Sequence, residues 1–205
     1  MKVVYDSLFP PAEDSLKEYL PLEVVKRKGT SEELIVDVPM DNRQVKVKVW
    51  RAKIGRVDLL LLDTGVDANS VHDRHITRRL YASQKHYEEE RKRRLEQELI
   101  LGIGGVRALL AAGYEPGAYH LNEGHVAFGA IEVIRYLMEQ GKISYSEAAK
   151  IAASKIGFTT HTPVQEGNER FDERLVRWYL EPYLNSFLSP EDRDIIFNCA
   201  RNRQD

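Results

Sequence analysis

The stretch YHLNEGHVAF, residues 119–128, brings together side chains that can hold a polar ligand or move a proton. His120, Asn122, Glu123 and His125 lie directly before an apolar helical pattern. Free backbone N–H groups and the dipole at a helix start favour anions and oxygen-rich ligands. A carboxyl and an imidazole placed there can bind sugar hydroxyls or transfer protons, so this stretch predicts a polar ligand site.

Two other interpretations of these residues stay open. Asn122 could instead cap the following helix, with Glu123 interacting favourably with the helix dipole. His120, Glu123 and His125 could also ligate a metal, but their spacing is not that of the helical HExxH motif. A strand residue and a loop residue need not face the same point, so we predict no metal site.

A second polar stretch, TTHTPV, occupies residues 159–164. His161 follows a β-branched strand pattern and precedes Thr162, which the next residue, Pro163, favours in an extended conformation. His161 either faces a ligand or is hydrogen-bonded by neighbouring loop backbone, and the residues alone leave both interpretations open.

The elements between the two stretches predict how they are positioned. Residues 118–121 and 156–160 have strand patterns, and between them lie an amphipathic helix over 124–140 and a second helix that opens at Ser144 with a capping box to Glu147. This β-α-β order predicts neighbouring parallel strands. Ligands bind beyond the carboxyl ends of such strands, so we expect the two polar stretches to form one site.

The N-terminal half has a different pattern. Residues 33–39, 44–50 and 57–64 predict an antiparallel β-meander, with turn residues at 40–43 and a continuous apolar run that suggests a more buried third strand. Residues 1–30 are interpreted as an irregular or partly helical lead-in, because prolines interrupt them.

Helices are predicted for most of the remaining chain. Asn69, Ser70 or Asp73 could cap a short helix through Leu80, and residues 84–112 predict one long helix or two joined ones. The charged run HYEEERKRRLEQE within them predicts a solvated helical face.

The glycines of LGIGGVRAL are expected to serve helix packing. Gly102, Gly104 and Gly105 fit neither phosphate-loop template. His72 and His75 are expected on the surface at a helix start.

The last two helices are expected to open at Asp172, running through Leu184, and at Pro190.

The composition narrows the class of protein. The 205 residues are 42% hydrophobic and 30% charged, with a net charge of −2, which is typical of a globular protein and does not favour nucleic acid or membrane surfaces. No apolar run reaches the ~20 residues of a membrane span, and no signal peptide pattern is present. Cys199 is the single cysteine, so we expect no intrachain disulfide and a cytoplasmic location.

Four segments, in this order, resemble the α-glucan (glycogen and maltodextrin) phosphorylases of the archaeal and bacterial branch. They are LLLLDTGVDANSVHDRHITRRLYA, QELILGIGGVRAL, YHLNEGHVAF and FTTHTPVQEGNERF. The resemblance covers about residues 33–188 and implies an α/β fold, part of the N-terminal half of a GT-B (Rossmann-like) enzyme. We expect one domain over 1–205, made of a lead-in (1–30), a β-meander (31–66), a phosphorylase-like α/β region (67–188) and a tail helix (189–205).

The resemblance also implies an activity. Members of the family cleave α-1,4-glucans with inorganic phosphate, release glucose 1-phosphate, and use the phosphate of pyridoxal phosphate to relay a proton. By this resemblance the chain contributes the glucan side of the cleft, with Asn122, Glu123 and His125 in the loop under the glucose and His161 against the reacting sugar.

Two further positions match the family near the cleft entrance. Tyr81 would begin the gating loop, and Arg94 would face the phosphate or the gating region. The loop departs from the family's usual pattern, since Ala82, Ser83 and Gln84 follow the tyrosine.

Other family features have no counterpart in the sequence. The N-terminal Gly-rich loop is missing, and no lysine lies in a sequence like the family's anchor for pyridoxal phosphate, so we expect no cofactor in this chain. The first hypothesis is therefore a fragment or subunit that acts on maltooligosaccharides only with a complementary C-terminal phosphorylase chain. The others are a non-catalytic glucan-binding or regulatory module, and a remnant that merely dimerises. Apolar strands that need covering predict a homodimer unless a complementary chain replaces that contact.

Overall fold

In the computed structural model, the described residues are 22–78, 87–162 and 169–200. Six strands are present in them: β1 (Leu22–Val24), β2 (Ile35–Met40), β3 (Arg43–Ile54), β4 (Val57–Asp63), β5 (Tyr119–Asn122) and β6 (Ile156–Thr159). The α-helices are α1 (Val71–Arg74), α2 (Tyr87–Leu99), α3 (Gly105–Ala111), α4 (Phe128–Gly141), α5 (Tyr145–Lys155), α6 (Glu173–Leu184) and α7 (Pro190–Ala200). A π-helical turn, Ile100–Gly104, joins α2 to α3, and a 3₁₀ turn, Gly124–Val126, precedes α4.

The first four strands form an antiparallel sheet centred on β3, which confirms the predicted meander. A two-residue turn links β2 to β3, with Asp41 in a left-handed conformation (φ 54°) that aspartate tolerates better than most residues. The lead-in prediction was wrong at its end, because Leu22–Val24 form β1 and pair with Trp50–Ala52. The rest of that lead-in, residues 1–21, lies outside the described residues.

Strand β4 is less buried than its apolar run predicted. Its residues are exposed or half-exposed, and Leu59 retains 37% of its accessible surface. The reason is that, within the described residues, β4 pairs only with β3 and therefore lies at the edge of the sheet.

Strands β5 and β6 form the predicted parallel pair, in register from Tyr119 opposite Ile156 to Asn122 opposite Thr159. Helices α4 and α5 make the crossover between them. As predicted, Ser144 and Glu147 form a reciprocal capping box at the start of α5. The helix before it begins at Phe128 rather than at residue 124, because the 3₁₀ turn comes first.

The π-helical turn packs directly against the start of α4. A β-carbon at Gly102 would lie 2.6 Å from the backbone N of Gly129, and one at Gly104 would lie 3.0 Å from Cγ2 of Val38. The packing role predicted for these two glycines is confirmed. The same prediction was wrong for Gly105, where an added β-carbon meets nothing within 4 Å.

The charged face of α2 is solvated only in part. Glu96 and Glu98 are 1% and 3% exposed, so the prediction of a solvated face was wrong in the last turn of the helix. Glu96 accepts hydrogen bonds from Arg43 and Tyr179, and Nε2 of His72 lies 3.2 Å from it. These partners explain how a carboxylate can be buried there.

Three other predicted helices are present, one of them shorter than predicted and two beginning where predicted. Ser70 caps α1, which ends at Arg74, and Leu80 lies outside the described residues. Asp172 caps α6 as predicted, and α7 begins at Pro190.

The main core lies between the antiparallel sheet and helices α2 and α6. It includes the fully buried side chains of Leu34, Val38, Val45, Val47, Leu95, Leu99 and Leu184. No helix among the described residues is long and apolar enough to cross a membrane. The molecule is thus a mixed α/β structure in which a separate parallel pair carries the polar stretches.

Candidate functional site

The residue after β5 has an unusual backbone conformation. Glu123 has φ 64° and ψ 171°, a region that is almost restricted to glycine. Its N–H still donates to the carbonyl oxygen of Thr159 at 2.8 Å, which extends the parallel strand pairing by one step. Such strain persists only where surrounding contacts fix it, and it concentrates at functional sites.

The carboxylate of Glu123 supplies those contacts. Its Oε1 accepts from the backbone N–H of His161 at 2.6 Å, and its Oε2 accepts from the hydroxyls of Thr160 at 3.1 Å and Thr162 at 3.3 Å. The pKa of Glu123 is lowered from its ordinary value, chiefly by the hydrogen bond from the His161 backbone. Glu123 is therefore an ionised residue that ties the ends of the two strands together.

Asn122 lies beside the histidine ring rather than at a helix cap. Its Oδ1 is 3.1 Å from Nε2 of His161. Because an amide oxygen only accepts, this pairing places the ring proton on Nε2 and leaves Nδ1 to accept a hydrogen bond. The capping interpretation of Asn122 was wrong. We call Asn122, Glu123, Thr160, His161 and Thr162 the strand-end cluster.

A second group of charged residues lies against the 3₁₀ turn. Nη2 of Arg94 is 2.7 Å from Nδ1 of His125, and Nε of Arg94 is 3.1 Å from Oε1 of Glu98. Glu169 lies 3.8 Å from Nε of Arg94 and accepts two hydrogen bonds from Nη1 of Arg91, at 3.1 and 2.9 Å. We call these five residues the arginine cluster.

Burial shapes the electrostatics of the arginine cluster. Burial raises the pKa of Glu98 to about 7, against the opposing effect of Arg94. The pKa of His125 is lowered, first by burial and then by the charge of Arg94. At neutral pH the imidazole is therefore neutral.

A large cavity opens between β4 and β5. It has a volume of about 910 Å³ and a mainly apolar lining that includes Leu59–Leu62 and Ala118–Leu121. Arg94, Glu98 and His125 also line it, whereas Glu123 and His161 are not among its lining residues. Three of the five residues of the arginine cluster thus line the cavity, and no residue of the strand-end cluster does.

The structure brings together five of the six residues expected to bind substrate, in two groups. Asn122, Glu123 and His161 form one group, and Arg94 and His125 form the other. The sixth, Tyr81, lies outside the described residues.

The metal interpretation gains no support from the geometry. Nε2 of His120 is 2.7 Å from the hydroxyl of Thr159, and the carboxylate of Glu123 instead accepts hydrogen bonds from residues 160–162. Among the described residues, no group of three or more His, Cys, Asp or Glu side chains is arranged to hold a metal ion.

Sequence reasoning missed Glu98 and Glu169. The i,i+4 spacing of Arg94 and Glu98 was a visible signal for their ion pair, but the charged run around them suggested solvent exposure. Glu169 reaches the cluster from a distant part of the chain, for which no local pattern exists.

Comparisons with known proteins give one family. A family model described as carbohydrate phosphorylase matches residues 24–188. A maltodextrin phosphorylase from Thermococcus litoralis is 38% identical over 187 residues, which are 90% of this chain and 21% of that protein. A glycogen phosphorylase from Mycobacterium tuberculosis is 37% identical over 78% of this chain and 18% of its own length.

A third relative is a glycogen phosphorylase from Aquifex aeolicus, 32% identical over 73% of this chain and 20% of that protein. The chain therefore spans about a fifth of the length of the curated relatives it matches.

Proposed function

We propose that this chain, which belongs to the carbohydrate phosphorylase family, supplies the glucan side of a cleft for phosphorolysis of α-1,4-glucans. In this proposal its fold is part of the N-terminal half of a GT-B enzyme. The observation that carries the proposal is the strand-end cluster, in which Glu123 adopts a strained conformation to bind both His161 and its neighbours.

The hydrogen-bonding pattern of the cluster suits sugar hydroxyls. Glu123 is occupied by three donors from the neighbouring loop, so its role is to hold His161 in place. His161 then offers Nδ1 as an acceptor, and the amide N–H groups of Asn122 offer donors. A sugar hydroxyl, which both donates and accepts, can hydrogen-bond to both side chains of this pair. A ligand without that hydroxyl would leave a buried polar group unpaired, at a cost of ~1–3 kcal/mol.

The reaction itself requires groups beyond the described residues. Pyridoxal phosphate, which the family resemblance implies, provides a phosphate that relays a proton when bound. The cavity lining contains no lysine among the described residues, so these residues do not fit a cofactor held as a Schiff base. In the proposal a complementary C-terminal phosphorylase chain holds that group.

A mixing experiment tests this division of labour. The chain would be combined with a separately expressed polypeptide that carries the remainder of a phosphorylase, with maltopentaose and inorganic phosphate. We expect glucose 1-phosphate only from the mixture, and at least tenfold less when His161→Ala replaces the parent chain. The matched control is His75→Ala, at a histidine that belongs to neither cluster and does not line the cavity, which should retain activity.

The alternative is a glucan-binding or regulatory module without catalysis. The strand-end cluster supports it as well, because a site that pairs sugar hydroxyls with Asn122 and His161 needs no reacting group of its own. Glucan binding without glucose 1-phosphate formation in any mixture would support this alternative over the first proposal.

We also propose that the chain associates through the parallel strand pair, as a homodimer or with the complementary chain. Parallel sheets are ordinarily covered on both faces. Here Phe158 of β6 is 57% exposed, and the cavity beside β5 is apolar.

A further inference from the structure

Glu98 is a buried acid whose hydrogen bonding is incomplete. The residue is 3% exposed, and its Oε1 is shielded from solvent without a hydrogen-bond partner among the described residues. The same oxygen lies at ion-pair distance, 3.1 Å, from Nε of Arg94, and 3.6 Å from Nδ1 of His125. A carboxyl group that costs this much to bury needs a compensating role.

Arg94 links Glu98 to His125, because its guanidinium contacts both side chains. A guanidinium can only donate hydrogen bonds, so Nδ1 of His125, 2.7 Å from Nη2 of Arg94, must accept. The proton of the neutral imidazole is then on Nε2. This nitrogen has no hydrogen-bond partner among the described residues, and His125 lines the cavity.

Glu169 is less suited to orient Arg94 than Glu98 is. It lies 3.8 Å from Nε of Arg94 and is already held by two hydrogen bonds from Arg91. Arg91 is further fixed by stacking over the ring of Phe171, with 4.6 Å between its Cζ and the ring centroid. Glu98 is closer to Arg94 and lies on the same helix, one turn further along.

We propose that Glu98 is a positioning residue that, through Arg94, fixes the Nε2–H tautomer of His125 and presents this N–H to an oxygen of a bound sugar. The Nε2–H tautomer is expected already in the free chain. The identification of the ligand as a sugar rests on the proposed function. Glu98 itself touches neither the sugar nor any reacting atom in this account.

The charges that face this group come from three parts of the chain. Arg91 and Arg94 lie on α2, Glu169 precedes α6, and Glu123 adjoins the 3₁₀ turn and acts on His125 through its charge. The pKa of Glu98, about 7, means that this carboxyl takes up a proton as the pH falls below neutral. Arg94 then loses its partner, so the tautomer preference should weaken towards acid pH.

Nitrogen NMR of the histidine side chains in the free, full chain tests the tautomer directly. At pH 8 we expect the Nδ1 signal of His125 to show an unprotonated nitrogen and the Nε2 signal a protonated one. In Glu98→Gln the two signals should move towards the average of mixed tautomers. The matched control Glu169→Gln removes the other carboxylate near Arg94 and should leave His125 as the same Nε2–H tautomer.

The NMR and titration results each support or overturn the positioning role of Glu98. A proton on Nδ1 of His125 in the parent chain at pH 8 would overturn it without any variant, and so would an unchanged tautomer in a folded Glu98→Gln chain. Titration with maltopentaose is the separate readout, with an affinity about tenfold lower in Glu98→Gln, the loss of one good hydrogen bond. The expected tautomer without any maltopentaose binding would leave the positioning role intact and count against the proposed function alone.

Discussion

The carboxylate of Glu123 accepts a hydrogen bond of 2.6 Å from the backbone N–H of His161, across the carboxyl ends of two parallel strands. This contact joins the two polar stretches of the sequence, which lie 38 positions apart in the chain. Because Glu123 also has a positive φ, the contact holds a backbone conformation that its own residue type disfavours.

The first prediction concerns the pH dependence of this contact. The folded-state pKa of Glu123 is lowered, so its stabilising effect is present above the unfolded pKa and is lost as the pH falls through the folded value. As the pH is lowered through this range, the urea concentration at the unfolding midpoint should therefore fall further for the parent chain than for Glu123→Gln. Equal acid sensitivity of the two chains would contradict the assignment.

The second prediction concerns Glu98, whose pKa is shifted in the opposite direction. The folded value is about 7 and the ordinary value 4.5, so the folded state binds more protons between these values and stability falls as the pH rises through this window. The cost at pH 8 is at most about 3 kcal/mol. Glu98→Gln should flatten this part of the stability profile, measured by urea unfolding from pH 4.5 to 8. A profile that keeps its slope in the variant would show that another group titrates.

The third prediction compares two glycines in the same helical stretch. Gly102→Ala places a β-carbon 2.6 Å from the backbone N of Gly129. Because neither backbone segment can move aside easily, this change should lower the free energy of unfolding by ~1–3 kcal/mol. Gly105→Ala meets nothing within 4 Å and should stabilise by up to about 1 kcal/mol. Thermal unfolding of both variants checks the pair, and similar effects of the two changes would argue against close packing at Gly102.

The fourth prediction concerns assembly. Light scattering after size exclusion should give about twice the chain mass of 23.6 kDa. Phe158→Ser, at a side chain 57% exposed on β6, should weaken the dimer, whereas Ile195→Ser, 48% exposed on α7, should not. A parent chain of monomer mass at high micromolar concentration would overturn the homodimer proposal.

The parallel strand pair could be predicted from the sequence because two strand patterns flank two helical patterns, the second of which opens with a capping box. That order nearly fixes the pairing of the strands and hence the meeting of Asn122 with His161. The packing of Gly102 against α4 also followed from a glycine inside a helical period.

Other features depend on tertiary context that local patterns do not carry. The positive φ of Glu123 arises from hydrogen bonds to a distant loop, and no residue-type preference indicates it. Glu96 is buried within a charged run because Arg43 and Tyr179 reach it from distant parts of the chain, whereas Glu98 is buried beside Arg94 at a cost that raises its pKa to about 7. Strand β4 has the apolar run of a buried strand, yet it lies at a sheet edge beside the cavity.

The central claim, that the strand-end cluster binds glucan, is tested most directly by NMR titration of the full chain with maltopentaose. We predict millimolar binding, about 4 kcal/mol, with the largest shifts at Asn122, Glu123 and His161. These shifts should be lost in His161→Ala but not in His75→Ala, whose side chain does not line the cavity. Cellopentaose, which has β-1,4 links, should shift these signals much less. Unchanged spectra at high millimolar maltopentaose, or equal shifts with both sugars, would contradict the claim.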